Sequence, residues 1–141
     1  MAMKEKETTF ALITGASSGM GYCYARALAA RGYNVLMVSN EEAIYEKADL
    51  VAKDYPVQAV GLLCDLSRQE AAEELYADCI KEGRNIEVLI NNAGVYHDRD
   101  FLDDSAAFNR LILHLHVLTP AMLCYYFGQD MAKKHHGYIL N

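Results

Sequence analysis

Residues 14–21 of the chain have the sequence TGASSGMG, which stands between a β-rich apolar run and an alanine-rich segment with helical spacing. The apolar run, residues 8–14, predicts a buried strand, and residues 19–31 predict a helix that stops at Gly32. A glycine-rich turn from a strand into a helix aims backbone N–H groups and the positive end of the helix dipole at one spot. The segment therefore predicts a phosphate-binding loop, with a tight turn that binds no ligand as the alternative.

Each residue type in this loop has a use in binding phosphate. Gly15 permits the tight turn, Gly19 lets backbone N–H groups approach a pyrophosphate, and Gly21 lets the helix pack close to the sheet. The hydroxyls of Ser17 and Ser18 can donate hydrogen bonds to phosphate oxygens. The predicted ligand-binding residues of the loop are Gly15, Ser17, Ser18, Gly19, Met20 and Gly21.

The rest of the chain continues to alternate strands with helices. Further buried strands are predicted at residues 34–39, 57–64, 87–90 and 138–140, and further helices at 41–54, 67–81 and 104–134. Ser67 with Glu70 three residues later predicts a capping box at the start of the third helix. Strands that are apolar on both faces indicate a parallel sheet covered by helices on both sides. We therefore expect an α/β, doubly wound, Rossmann-like sheet of five strands in the order 3-2-1-4-5.

The composition of the chain limits the classes of protein to which it can belong. The chain has 141 residues, 52% of them hydrophobic, and a net charge of −6, which argues against nucleic acid or an anionic membrane as a partner. We expect no membrane-spanning segment, because no apolar run is expected to approach the roughly 18 uncharged residues that a spanning helix needs. The start, MAMKEKETTF, lacks a signal-peptide core, so a cytoplasmic protein is expected. Four scattered cysteines without a Cys-x-x-Cys pair predict free thiols, and the absence of linkers predicts a single domain, residues 1–141.

Three motifs at predicted strand ends resemble those of the short-chain dehydrogenase/reductases. They are the glycine loop in its Gly-x-x-x-Gly-x-Gly spacing, Cys64-Asp65-Leu66 after the third strand, and the segment 91–94, NNAG, after the fourth. The resemblance extends over the whole chain and implies an NAD(P)-dependent oxidoreductase.

The resemblance also implies roles for the residues of these motifs. By it, Asp65 and Leu66 flank the adenine, Asn92 steadies the sheet, and Ala93 and Gly94 face the ribose. The residues themselves support Asp65 and Asn92, because polar groups at the carboxyl ends of central strands lie where such sheets bind ligands. Plain turn chemistry is the alternative for both.

The choice between NAD and NADP depends on the residues after the second strand. An acidic residue there holds a ribose 2'-hydroxyl, and a basic one accepts a 2'-phosphate. By the resemblance, Ser39 stands where NAD-preferring members carry an acid, and Asn40 where many NADP-preferring members carry arginine. Glu41 and Glu42 are expected to face solvent. The missing carboxylate favours NADP over NAD.

The family's catalytic residues are not found in this sequence. The resemblance implies a tyrosine with a lysine four residues later, a serine, and an asparagine on the long helix. None of the ten tyrosines has that lysine, and His116, four residues before Pro120, stands in place of the asparagine. We expect His116 to fill a polar niche, and we expect no metal site.

Two readings of the function remain open. The chain is either the dinucleotide-binding half of an oxidoreductase, inactive alone, or a non-catalytic dinucleotide-binding or interaction module. The sequence indicates no substrate, and it does not decide whether the chain is a fragment, the product of a shortened gene or a dedicated binding module.

The 104–134 helix is apolar on more than one side, and the fifth strand is an open edge. We expect a homo-oligomer through one of these surfaces, with a merely apolar fragment surface as the alternative.

Overall fold

The strand that precedes the glycine loop lies at the centre of a parallel sheet. The computed structural model describes residues 8–141 and pairs the strands in the order β3-β2-β1-β4-β5, as the sequence predicts. All four pairings are parallel. The strands are β1 (Thr8–Thr14), β2 (Asn34–Ser39), β3 (Ala59–Leu63), β4 (Arg84–Ile90) and β5 (Tyr138–Leu140).

Helices connect the strands and cover both faces of the sheet. They are α1 (Gly19–Ala29), α2 (Ala43–Asp54), α3 (Ala71–Lys81), α4 (Ala106–Leu113) and α5 (Thr119–Lys134), with a π-helical segment (His114–Leu118) joining the last two. Parallel strands require such crossovers, because the chain must return to the same end of the sheet.

Alternate residues of the strands face two separate cores. Leu12 of β1 packs in one core with Leu75 of α3 and Leu123 of α5. The next residue, Ile13, packs in the other core with Ile44 and Val51 of α2. This burial on both faces explains why the strands consist of nearly continuous apolar residues.

The third helix begins later than the capping-box prediction places it. The helix starts at Ala71, and Glu70 precedes it without a side-chain cap. Ser67 instead donates from both its backbone N–H and its hydroxyl to Asp65 Oδ1, at 3.0 and 2.6 Å. The predicted capping box is wrong, because the Ser67 backbone N–H, which would donate to the Glu70 side chain in a capping box, donates to Asp65 instead, and the helix begins only at Ala71.

Other boundaries differ from the prediction by a few residues. Helix α1 ends at Ala29, with Gly32 in the left-handed conformation just beyond, and α2 begins at Ala43 instead of residue 41. Strand β3 is shorter than predicted, and β4 begins at Arg84, three residues earlier than predicted.

The predicted 104–134 helix begins at Ala106 and is interrupted by the π-helical segment. Ser105 caps its start by accepting a hydrogen bond from the Phe108 N–H to its hydroxyl. Pro120 follows the π-helical segment and has no N–H to donate to the carbonyl of His116. A proline also displaces the carbonyl four residues before it, which accounts for the break in regular α-helical bonding here.

The expectation that no segment is long and apolar enough to span a membrane is wrong. Helical residues Ala106–Lys134 meet that test by length and composition alone. The stretch from Leu111 to Gln129 holds no Asp, Glu, Lys or Arg. One such helix is weak evidence, because core helices of soluble proteins pass the same test. Here 17% of the apolar window is buried, and one face of α5 places Leu123 and Phe127 in the core.

Candidate functional site

The glycine loop joins β1 to α1 at the carboxyl edge of the sheet. Gly15 has a φ of +66°, a conformation that residues with a Cβ rarely adopt. Gly21 lies in the first turn of α1, where a Cβ would overlap the carbonyl oxygen of Gly15. The two glycines therefore allow the helix to start directly against the loop, which aims its N-terminus at the space above the sheet.

Thr14 and Asn92 tie this loop to the turn after β4. The Thr14 hydroxyl accepts hydrogen bonds from the backbone N–H groups of Asn92 and Ala93, each at 3.0 Å. The Asn92 side-chain amide donates to the carbonyl oxygens of Thr14 and Gly15, each at 3.1 Å. Thr14 is not among the site residues predicted from the sequence, although its position directly before the first glycine is a signal for it.

The segment Ala93–Val95 leaves this turn and rests on the long helix. A Cβ on Gly94 would overlap Cε1 of the His116 ring. Nε2 of the same ring lies 2.9 Å from the carbonyl oxygen of Val95 and 3.1 Å from its backbone nitrogen. His116, on the π-helical segment, thus occupies a polar niche made by this backbone.

Ser17, Ser39 and Glu41 form a connected hydrogen-bond network beside the loop. The Ser17 hydroxyl donates to Glu41 Oε2 at 2.7 Å, and the Ser39 hydroxyl donates to Ser17 Oγ at 3.0 Å. The Glu41 backbone N–H donates to Ser39 Oγ at 3.1 Å. Glu41 is exposed, as expected, but its carboxylate does not point away from the site, because the buried Ser17 hydroxyl holds it against the loop.

Asp65 and Leu66 follow β3 on the other side of the loop. The two hydrogen bonds from Ser67, first that from its hydroxyl and then that from its backbone, hold the pKa of the Asp65 carboxyl below its ordinary value. Leu66 is buried, and its carbonyl oxygen accepts a hydrogen bond from the Thr119 hydroxyl at 2.8 Å. Helix α5 thereby fixes the turn that carries Asp65.

These segments surround one groove of about 600 Å³ at the carboxyl edge of the sheet. Every residue that the sequence predicts for the site lines it except Gly19 and Gly21. The lining that sequence analysis did not select consists of Glu41, Cys64, Ser67, Val95, Leu111 and Leu115. Residues Leu111 and Leu115 come from the long helix, which reaches over the end of the sheet.

The lining of the groove combines polar groups with apolar side chains. Backbone N–H groups and serine hydroxyls line the loop side, and Leu66, Leu111 and Leu115 supply apolar walls. Two carboxylates, Glu41 and Asp65, line it as well. Within residues 8–141, no group of three or more His, Cys, Asp or Glu side chains is arranged to hold a metal ion.

Comparison with known proteins points to one family. The model of the short chain dehydrogenase family matches residues 9–141. A relative from Bacillus subtilis, 2-dehydro-3-deoxy-D-gluconate 5-dehydrogenase, is 31% identical over 132 residues, which cover 93% of this chain and 51% of the relative. The chain spans about half the length of the curated relatives that it matches.

Solved structures agree with this match. The bulky-bulky ketone specific alcohol dehydrogenase from Comamonas testosteroni superposes with a TM-score of 0.86 at 31% identity, over 95% of this chain and 53% of that one. A short-chain dehydrogenase from Sphingobium yanoikuyae in complex with NADPH gives a TM-score of 0.85 at 27% identity, over 93% and 51%. With the family model covering nearly all of its length, this chain belongs to the short-chain dehydrogenase family of oxidoreductases.

Proposed function

We propose that this chain binds a nicotinamide dinucleotide, NAD or NADP, in the groove at the carboxyl edge of its sheet. The observation that carries the proposal is the convergence of three separate segments, the glycine loop, the turn after β3 and the turn after β4, on one groove. A doubly wound sheet binds dinucleotides at this place, where the strand order reverses on either side of β1. The Sphingobium relative, which is in complex with NADPH, supports the same ligand class.

The proposal gives each lining segment a part. The pyrophosphate lies at the N-terminus of α1, where free N–H groups and the helix dipole favour negative charge. Asp65 and Leu66 lie beside the adenine, and Ala93 and Gly94 lie beside a ribose. When bound, the nicotinamide would supply hydride chemistry, and the residues of this chain would hold and orient the dinucleotide.

We propose further that these 141 residues bind the dinucleotide without completing hydride transfer by themselves. The support is that no tyrosine in the sequence has a lysine four residues later. Assay of the chain with NADH or NADPH and a panel of ketones tests this, and steady turnover well above a no-protein blank would contradict it.

Thermal unfolding in the presence of NADH or NADPH tests the binding itself. A ligand at 100 times its dissociation constant should add about 2.7 kcal/mol to the free energy of unfolding. In a domain of this size that is a rise of several degrees in Tm. No rise with either dinucleotide at millimolar concentration would contradict the proposal.

A pair of matched variants makes the test specific for the groove. Asp65→Ala removes a carboxylate that lines the groove, whereas Asp49→Ala removes an exposed carboxylate on α2. Asp65→Ala should weaken binding at least threefold, and Asp49→Ala should leave it unchanged. Equal effects of the two substitutions would show that binding occurs elsewhere.

The proposal also covers the oligomeric state of the protein, its location in the cell and its macromolecular partners. We propose a homo-oligomer formed through the outer face of the 106–134 helix or the edge of β5, a cytoplasmic location, and no nucleic-acid or membrane partner. Leu113, Val117 and Tyr125 on the helix and all of β5 are exposed apolar residues, and the net charge of −6 disfavours anionic partners. Light scattering at micromolar concentration and cell fractionation test these statements, and a monomer or a membrane-bound fraction would contradict them.

A further inference from the structure

We propose that Met20 is an oxidation site of this chain: a peroxide converts its thioether to the sulfoxide, and the sulfoxide weakens binding of the dinucleotide in the groove. The effect on binding rests on the proposed function, whereas the oxidation of Met20 does not depend on it. The proposal gives this position of the glycine loop a redox chemistry that its neighbours Ser18 and Gly19 lack.

Met20 is exposed to solvent and is also part of the groove lining. It is the second residue of α1, lines the groove next to Ser18, and is 72% exposed. Its backbone is held on both sides, because Gly19 has a φ of +53° and a Cβ on Gly21 would overlap the Gly15 carbonyl oxygen. The thioether is therefore accessible to a dissolved peroxide and to a ligand in the groove.

The other methionines within residues 8–141 are less accessible. Met37, in β2, is 0% exposed, and Met131, on α5, is 7% exposed. Met122, also on α5, is partly buried and packs against the core. Since a peroxide must reach the sulfur atom to oxidise it, Met20 should react before these three.

The oxidation needs no reactant besides hydrogen peroxide or an alkyl hydroperoxide. The thioether sulfur attacks the hydroxyl oxygen of the peroxide, the O–O bond breaks and the S–O bond of the sulfoxide forms. The proton of the attacked oxygen moves to the other oxygen, which leaves as water or an alcohol. Sulfur loses two electrons, and the peroxide gains them. A flexible apolar side chain becomes a polar, chiral one, and methionine sulfoxide reductases reverse the change.

A sulfoxide on Met20 competes with a phosphate at the start of α1. The backbone N–H of Tyr22 donates to the Ser18 carbonyl oxygen at 3.2 Å, which closes the first turn, and the Ser18 side chain does not cap that turn. The N–H groups of residues 19–21 precede this bond and are those that a helix start offers to a phosphate. The sulfoxide oxygen is a hydrogen-bond acceptor beside these donors, and its partial negative charge repels a pyrophosphate.

Two cysteines near Met20 also react with peroxides. Cys64 lines the groove, and burial raises the pKa of its thiol, which slows its oxidation because the thiolate is the reactive form. Cys23, exposed on α1, does not belong to the described lining. A thiol reductant returns sulfenic acids and disulfides to thiols but leaves methionine sulfoxide in place, so it separates the two kinds of oxidation.

Peptide mapping by mass spectrometry after treatment with hydrogen peroxide and then a thiol reductant tests the oxidation step. Met20 should gain an oxygen about tenfold faster than Met37 and Met131. Saturating NAD⁺ or NADP⁺, which carry no hydride for the peroxide to consume, should slow oxidation of Met20 about threefold by covering the groove lining, and should leave Met122 unaffected. Oxidation of Met20 no faster than that of Met37 would overturn the inference. A dinucleotide that binds without protecting Met20 would also overturn it.

Calorimetric titration of NAD⁺ and NADP⁺ into the treated and the untreated chain tests the effect on binding. Oxidation should raise the Kd of each dinucleotide that binds by about threefold or more, and methionine sulfoxide reductases A and B should restore it. Met20→Leu has no sulfur at this position, so peroxide should leave its Kd where it stood before treatment. Met122→Leu is the matched control and should show the same rise in Kd on treatment as the unmodified chain.

The outcomes separate this inference from the proposed function. An unchanged Kd after complete oxidation of Met20, or an equal rise in treated Met20→Leu, would overturn the inference and leave the proposed function standing. Failure of the untreated chain to bind either dinucleotide would overturn the proposed function together with the inference.

Discussion

The side-chain amide of Asn92 donates a hydrogen bond to the carbonyl oxygen of Gly15 at 3.1 Å, across 77 residues of sequence. This bond, with the one to Thr14, joins the turn after β4 to the glycine loop after β1. The two turns are therefore held in a fixed relative position, and the groove between them is formed before a ligand binds. Preorganisation of this kind reduces the entropy that a ligand must lose on binding.

Removal of the Thr14 hydroxyl should loosen this junction. Thr14→Val keeps the shape of the side chain but leaves the N–H groups of Asn92 and Ala93 without their acceptor. Unsatisfied buried donors cost about 1–3 kcal/mol, and urea unfolding should report a loss of that size. Thr14→Ser retains the hydroxyl and should cost less. Equal losses in the two variants would mean that the hydroxyl contributes nothing.

Two helix glycines should respond in opposite ways to alanine. Gly21→Ala puts a methyl group into the carbonyl oxygen of Gly15, whereas the nearest atom to a Cβ on Gly128 is Ile139 Cδ1, at 3.9 Å. Forced overpacking costs about 1–3 kcal/mol, and alanine in an unstrained helix gains up to about 1 kcal/mol over glycine. Thermal unfolding should therefore show a lower Tm for Gly21→Ala and an equal or higher Tm for Gly128→Ala. The reverse order would contradict the packing described for the loop.

Gly94 and His116 should behave as a coupled pair. Gly94→Ala alone forces the exposed His116 imidazole aside and breaks its hydrogen bonding to Val95, which should cost about 1–2 kcal/mol. In a His116→Ala background the added methyl group enters the vacated space, so the same substitution should cost less than 1 kcal/mol. Urea unfolding of the two single variants and the double variant measures the coupling. Additive losses would show that the ring does not restrict residue 94.

Alkaline pH should destabilise the chain partly through Cys79. Burial raises the pKa of the Cys79 thiol to about 12, against an ordinary value of 9.0. The folded state therefore holds this proton after the unfolded state has lost it. The resulting stability is complete below pH 9 and is lost as the pH rises towards 12, with a slope of up to 1.36 kcal/mol per pH unit.

A comparison with Cys79→Ala isolates this contribution. The alanine variant should be less stable than the unmodified chain at pH 8, because it removes a buried sulfur. The difference in unfolding free energy should then shrink by about 1 kcal/mol between pH 8 and pH 10. A difference that stays constant over this range would contradict titration of Cys79 on unfolding.

Much of the fold was predictable because local patterns and global packing agree. Continuous apolar strands such as Asn34–Ser39 require cover on both faces, and alternating helices supply it, which leaves few sheet orders. Helix starts were less predictable. Ser67 has the spacing of a cap, yet its backbone N–H donates to Asp65, and only the turn after β3 decides between Asp65 and Glu70 as the acceptor.

The sequence did not predict which of the side chains just before α2 points towards the groove. Glu41 and Glu42 are adjacent acids with the same local preferences, so no periodicity separates them. The carboxylate of the exposed Glu41 meets the glycine loop because Ser17, 24 residues earlier, donates to it. That Leu111 and Leu115 line the groove was not predictable for a similar reason, since the path of the long helix over the sheet depends on packing.

The sequence by itself determined the alternation of strands and helices, the sheet order and the three turns that meet at its carboxyl edge, because these follow from apolar periodicity, glycine positions and the handedness of crossovers. The tertiary structure alone decided which polar atoms meet across that edge. Thr14 with Ala93, Ser17 with Glu41 and Val95 with His116 are pairs distant in sequence. Their partners are set by distances of about 3 Å between separate turns, and no local pattern encodes such distances.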